Sequence, residues 1–224
     1  MSIETVLEAR EITKTFYSPS PFTLLKGITL TAGRGERVAI TGKSGEGKST
    51  LLHILGTLEK PSSGTVKICG KETRESSCPT LRNQHIGFVF QAFHLLEEET
   101  VLDNVLLPAK IARLPVHKRS PKAERAYALL DQVGLSSRAG HMAKLLSGGE
   151  KQRAAIARAL INDPDIIFAD EPSGNLDTMH SKQIHSLLLS ATQKEGKTLI
   201  LVTHDMQLAS MCDRTLCLQE GILV

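Results

Sequence analysis

Gly42-Lys43-Ser44-Gly45-Glu46-Gly47-Lys48-Ser49 is the stretch from which the rest of this chain can be read. It matches the pattern G-x-x-x-x-G-K-[ST], in which glycines let the backbone turn tightly enough to aim N–H groups at phosphate oxygens. Before it, Val38 to Thr41 form a short apolar run of strand character. After it, Leu51, Leu52, Ile54, Leu55 and Leu58 recur at helical spacing, and Pro61 is expected to end that helix over about 49–59. Strand, loop and helix in that order suit an anion cradle, because the helix adds its positive N-terminal end. Lys48 is placed to reach β- and γ-phosphates and Ser49 to ligate Mg²⁺, with Thr50 closing the set. Glu46 is the odd member, since an anion beside phosphates is repelled. Its side chain is expected to point outward, as a solvated glutamate or in a regulatory role.

Working outward, Ile28 and Leu30 alternate with threonines, a turn follows at Gly33 and Gly35, and Val66–Ile68 and Ile86–Phe90 read as further strands. From about 95 to 160 the pattern becomes helical. Ser120-Pro121 is a helix start, Ala126, Leu129, Leu130 and Val133 share a face, and Gly134 ends it. A strand at Ile166–Ala169, a helix near 179–193 broken by Gly196, and a last buried strand at Leu199–Val202 complete the expected elements. Short apolar runs alternating with helices imply an α/β fold: a mainly parallel sheet covered on both faces, with a helical segment inserted between Gln91 and Leu160.

Two further stretches carry chemistry. In Asp165-Ile166-Ile167-Phe168-Ala169-Asp170-Glu171 a buried strand delivers two adjacent carboxylates to its C-terminal end, where ligands bind in open parallel sheets. Their side chains point opposite ways, so Asp170 can hold Mg²⁺ through its waters while Glu171 polarises an attacking water. In Leu146-Ser147-Gly148-Gly149-Glu150-Lys151-Gln152, Ser147 and Glu150 form a capping box. The two glycines disfavour a helix by about 1 kcal/mol each relative to alanine, so capping alone does not explain them. They expose backbone N–H groups at a positive helix end, a second phosphate cradle.

The phosphate loop, LSGGEKQ, FADEP and a histidine after the apolar run LILVT together resemble the ATP-binding cassette family across essentially the whole chain. The resemblance implies a P-loop (RecA-like) NTPase fold with N-terminal antiparallel strands, in a single domain over 1–224 with a helical subdomain at about 92–158. It implies ATP and Mg²⁺ as ligands and ATP hydrolysis as the reaction. Gln91 matches the glutamine that touches Mg²⁺ or the lytic water. His204 matches the switch histidine at the γ-phosphate, Asp177 the loop that crosses the dimer interface, and Phe16 the aromatic that stacks on adenine. Ser147, Gly148 and Gly149 would cover the γ-phosphate bound by a second nucleotide-binding subunit, in a homodimer.

LLHILGTLEKPSSG, LRNQHIGFVFQAFHLL and ADEPSGNLD resemble the lipoprotein-releasing branch, within a group shared with macrolide exporters and a cell-division cassette. That branch implies integral membrane permease subunits of the LolC/LolE kind and a peripheral position at the cytoplasmic face of the inner membrane. Two departures stand out. Ser173 replaces the usual threonine, and Glu97-Glu98-Glu99 follows His94-Leu95-Leu96, either as a solvated acidic patch or as a complement to a basic membrane partner.

Composition agrees with these expectations. The 224 residues are 41% hydrophobic and 23% charged, and a net charge of +3 leaves no basic stripe for nucleic acid. Cys69, Cys78, Cys212 and Cys217 show no C-x-x-C spacing and read as small buried residues. MSIETVLEAR lacks a signal peptide's apolar core, and apolar runs reach only about four residues against the ~20 of a membrane span. Efflux of drugs or peptides and cell-division signalling remain the alternatives within the group. A small-molecule kinase is disfavoured, because it would need no LSGGE segment.

Overall fold

The computed structural model describes residues 4–73 and 78–224. Residues 1–3, the start of the stretch read for a signal peptide, and 74–77 lie outside the described residues. The first elements are β1 (Thr5–Phe16), β2 (Phe22–Gly33), β3 (Arg37–Thr41), α1 (Lys48–Leu55), β4 (Ser63–Ile68) and β5 (Lys71–Glu72). Then come α2 (Cys78–His85), β6 (Ile86–Val89), α3 (Val101–Ile111), α4 (Pro121–Gln132) and α5 (Gly148–Leu160). The chain ends through β7 (Ile166–Asp170), α6 (Thr178–Lys194), β8 (Thr198–Val202), α7 (Met206–Ser210), β9 (Arg214–Gln219) and β10 (Ile222–Leu223).

Two sheets result. One is antiparallel, in the order β2-β1-β4-β5. The other has six strands in the order β10-β9-β3-β8-β7-β6, parallel from β9 to β6, with β10 antiparallel at its edge. The parallel strands β3, β7 and β8 are buried on both faces, as their unbroken apolar runs require. Their period of two divides them between two cores. Val38, Ile40, Ile166, Phe168, Ile200 and Val202 point toward the antiparallel sheet and α1. Ala39, Ile167, Ala169, Leu199 and Leu201 point the other way, into a core shared with α3 to α6. Leu51, Leu52, Ile54 and Leu55 of α1 are themselves completely buried in the first of these cores.

Three details differ from the sequence expectations. Helix α1 ends at Gly56 rather than before Pro61, because Thr57 turns left-handed at φ 62°; Gly56 is the cap, and the Phe88 ring packs where its side chain would stand. Leu58 therefore leaves the helix and is 44% exposed. The strand at 198–202 is not the last, since β9 adds to β3 in parallel and β10 returns along it.

Between β6 and β7, α3, α4 and α5 pack on one another, and α5 packs on β6. Thr100 caps α3 by accepting from the Asp103 N–H, and the fully buried Ser120 caps α4 by accepting from Ala123 at 3.2 Å. Ser120→Ala removes that acceptor and is expected to cost about 1 kcal/mol of stability, readable as a lower urea midpoint with unchanged slope. Among the described residues no helix is long and apolar enough to cross a membrane.

Candidate phosphate-binding and catalytic site

Four parallel strands end at one rim, and each delivers part of the site there. The phosphate loop follows β3, Gln91 follows β6, Asp170 and Glu171 stand at the end of β7, and His204 follows β8. A cavity of about 410 Å³ lies at this rim. Ser44, Gly45, Gly47, Lys48, Ser49 and Thr50 line one side, Gln91, Glu171 and His204 the other, and Leu24 of β2 adds an apolar edge.

The loop needs its glycines for two different reasons. At Gly42 (φ 145°) a side chain would strike the Leu218 carbonyl, and at Gly47 (φ 96°) it would meet the Leu24 side chain in a backbone region that other residues rarely adopt. Lys48 is the first residue of α1, and its Nζ donates to the carbonyls of Gly42 and Lys43 at 2.9 and 2.8 Å. Its charge thus already lies inside the curl of the loop. Glu46 does not point outward as expected. It is half-buried, and its Oε2 accepts from the Lys43 N–H at 3.0 Å, bracing the loop from within.

Ser49 donates to Asp170 Oδ1 at 2.9 Å. Asp170 is 8% exposed, and burial pushes its carboxyl above the usual range against the opposing Ser49 hydrogen bond and the His53 charge. His53, with Nε2 3.5 Å from Asp170 Oδ2, was missed in the sequence. The available signal was its place one helical turn after Ser49. Glu171 has φ 42°, uncommon for a residue with a side chain and typical of functional positions. Its N–H donates to Val202, and its Oε2 lies 2.9 Å from His204 Nδ1 and accepts from the His204 N–H at 3.4 Å. Gln91 and Asn175 clasp each other: Gln91 Nε2 donates to Asn175 Oδ1 at 3.3 Å, and Asn175 Nδ2 donates to the Gln91 carbonyl at 2.8 Å. Gly174 leaves room for this, since a side chain there would meet the Gln91 amide.

The remaining sequence-selected residues lie apart from the cavity lining. Ser147 caps α5 in a complete capping box, its Oγ accepting from Glu150 and its own N–H donating to Glu150 Oε2 at 2.9 Å. The Ser147 N–H and hydroxyl, both donating to Glu150 Oε2, hold that carboxyl below its usual range. Gly148 faces Leu176, and Gly149 faces His180. Asp177 accepts from the His180 N–H at 3.0 Å and lies 2.6 Å from its Nδ1. Phe16 ends β1 opposite Phe22, both rings exposed, with Lys14 Nζ 5.3 Å from the Phe16 ring centre. Glu97 and Glu98 pair within the chain, with Lys151 at 3.3 Å and Lys144 at 2.7 Å.

Cys69, His85 and Asp165 also converge, with atoms within 4.8 Å of one another. Arg34 donates to Asp165 Oδ1 at 2.9 Å and His85 Nδ1 stands 2.7 Å from Oδ2, while burial pushes the Cys69 thiol up to about 11. A carboxylate already paired with a guanidinium and a protonated thiol make this a structural clamp.

The model of the ABC transporter family matches residues 25–174. The chain belongs to that family. It is 53% identical over 218 residues to the lipoprotein-releasing system ATP-binding protein LolD of Protochlamydia amoebophila (strain UWE25), covering 97% of this chain and 96% of that one. It is 46% identical over 226 residues to the LolD of Cytophaga hutchinsonii, covering 99% and 100%. Among solved structures it resembles the dimeric structure of the bacterial ABC transporter cassette MJ0796, with TM-score 0.87, 38% identity and coverage of 97% and 96%. A post-hydrolysis dimer of MJ0796 bound to ADP and Pi matches with TM-score 0.86 at 37% identity, again covering 97% and 96%. The cassette has the P-loop NTPase fold, with parallel and antiparallel sheets as described.

Proposed function

We propose that this cassette is the ATP-hydrolysing subunit of a lipoprotein-releasing transporter, acting as one of two copies that close over ATP. The observation that carries the reading is the rim itself. Lys48, Ser49, Gln91, Glu171 and His204 surround one cavity with Asp170 bonded to Ser49 beside it, while the chain's own Ser147–Gly149 helix start does not line it. A phosphate cavity to which α5 contributes nothing, and a spare phosphate-binding helix end on the same molecule, are complementary halves of a two-copy site. Curated relatives named LolD support the transport role, and they set aside the efflux and cell-division alternatives.

The loop amides, Lys48 and the N-terminus of α1 would bind the triphosphate, with the exposed Phe16 ring available to the base. Ser49 and Asp170, with Gln91 beside them, fit Mg²⁺: a desolvated carboxylate with a hydroxyl 2.9 Å away is the donor set of a hard cation. When bound, the ion supplies charge neutralisation at the phosphate oxygens. Glu171 would orient the attacking water and take its proton, and His204, which already contacts Glu171, would stand at the γ-phosphate. Ser147, Gly148 and Gly149 of the second copy would offer N–H groups to the same phosphate, and Asp177 would meet them across the interface. The membrane path is assigned to LolC/LolE-like permease subunits, with this chain peripheral at the cytoplasmic face.

The test is reconstitution with two related membrane subunits in vesicles carrying a lipoprotein. ATP should drive lipoprotein release, and Lys48→Ala should bind ATP about 10- to 100-fold more weakly and release none. A chain that copurifies with no membrane subunit, or that turns over ATP without any release, overturns the transport assignment.

A further inference from the structure

His185 of α6 is 4% exposed, and the reaction outlined above gives it no task. Its Nε2 lies 2.6 Å from Ser173 Oγ, and its Nδ1 lies 4.0 Å from Asp205 Oδ2. Burial pushes the ring's pKa below its ordinary value against the opposing charge of Asp205, so the ring is neutral at neutral pH. The nearby carboxylate favours the proton on Nδ1, which faces Asp205 beyond hydrogen-bond distance, and Nε2 then accepts from the Ser173 hydroxyl, a tautomer assigned from these two contacts.

What these three residues connect matters more than the order Ser–His–Asp. Ser173 does not line the nucleotide cavity, so its hydroxyl is held rather than poised as a nucleophile. It stands two residues beyond Glu171 and opens the loop that runs to Asp177. Asp205 follows His204 directly, and its Oδ1 caps α7 by accepting from Gln207 and Leu208 at 2.7 and 3.1 Å. His204 returns to Glu171 at 2.9 Å. These contacts run in a circuit: Glu171 through Pro172 to Ser173, by hydrogen bond to His185, from there by a longer approach of 4.0 Å to Asp205, along the chain to His204, and back to Glu171.

We propose that His185 is a positioning residue for hydrolysis, coupling the 173–177 loop to the His204 turn so that both keep one geometry around Glu171. On the other side of the loop Asn175 is clasped to Gln91, so His185 completes a two-point mounting. Ser173, a departure from the family's usual threonine, keeps the hydroxyl that this link needs. The inference rests on the assignment of Glu171 and His204 to the chemistry.

Four variants of the full-length chain test it: Ser173→Ala, His185→Leu, their combination, and His185→Gln, whose side-chain oxygen can reach the place of Nε2. Turnover, the KM for ATP and the melting temperature are measured for each. Each of the first two should lower kcat about 10- to 100-fold with KM within about twofold. The combination should be no slower than His185→Leu alone, and His185→Gln should recover most of the rate. The inference is overturned by single variants with kcat within twofold of wild type, by losses that multiply in the combination, or by no rescue with glutamine. If His185→Leu does not fold, Ser173→Ala, which removes one hydroxyl, decides the matter alone. Glu171→Gln measured alongside separates the two claims. Full turnover in that variant overturns the catalytic assignment, whereas an inactive Glu171→Gln beside a fully active Ser173→Ala overturns only the role of His185.

Discussion

Glu171→Gln is expected to cut ATP turnover about 10²- to 10⁴-fold while leaving nucleotide affinity within about twofold. The amide matches the carboxylate in size and can still meet the His204 N–H, so the turn at the end of β8 keeps its support. What it cannot do is take a proton from water. Its backbone stays at φ 42°, held by the Glu171 N–H to Val202, so the loss is chemical rather than conformational. With ATP present the variant should accumulate as a two-copy species on gel filtration, because closure is kept and the step that opens it is removed. Turnover within tenfold of wild type would show that another group activates the water.

Ser147→Arg should abolish two-copy hydrolysis, by about 10²-fold or more, while a single copy binds ATP as wild type does. Two effects add. The variant loses both bonds of the Ser147 hydroxyl to Glu150, keeping only the one from its backbone N–H, and it sets a bulky cation at a helix end already positive. Ser147→Ala separates them: it removes the capping hydroxyl at about 1 kcal/mol but leaves the surface clear. Ser147→Ala should therefore retain much more activity than Ser147→Arg. Wild-type turnover in Ser147→Arg would mean that the start of α5 never meets a nucleotide bound elsewhere.

The parts of this molecule that can be read from the sequence are those whose determinants are local. The phosphate loop, the strand 166–170 with its two acids, and the Ser120 and Ser147 caps each place strand, turn or cap chemistry within a few residues. Strands β9 and β10 escaped because RTLCLQ buries only Leu218 fully and shows neither a sustained apolar run nor a clean alternation. The end of α1 differs from the expectation because the apolar spacing runs on to Leu58, whereas the backbone already turns left-handed at Thr57, a residue type that gives no sign of it. The site divides in the same way. Gln91, Glu171 and His204 stand beside strand ends that the sequence marks. Asn175 against Gln91 and His185 between Ser173 and Asp205 depend on how separate segments meet, and nothing local announces them.

The burial of α1 between the two sheets has a mechanical consequence. Four aliphatic side chains wedged to near-zero exposure leave the helix no direction in which to slide, since close-packed interiors yield little to small forces. The Lys48 end of that helix is therefore the stationary jaw of the machine. Beside it, the more exposed parts of the rim are the His204 turn and the Gly174, Asn175 and Asp177 positions of the 173–177 loop. A restraint placed between α1 and β8 should therefore leave ATP turnover within about twofold of wild type.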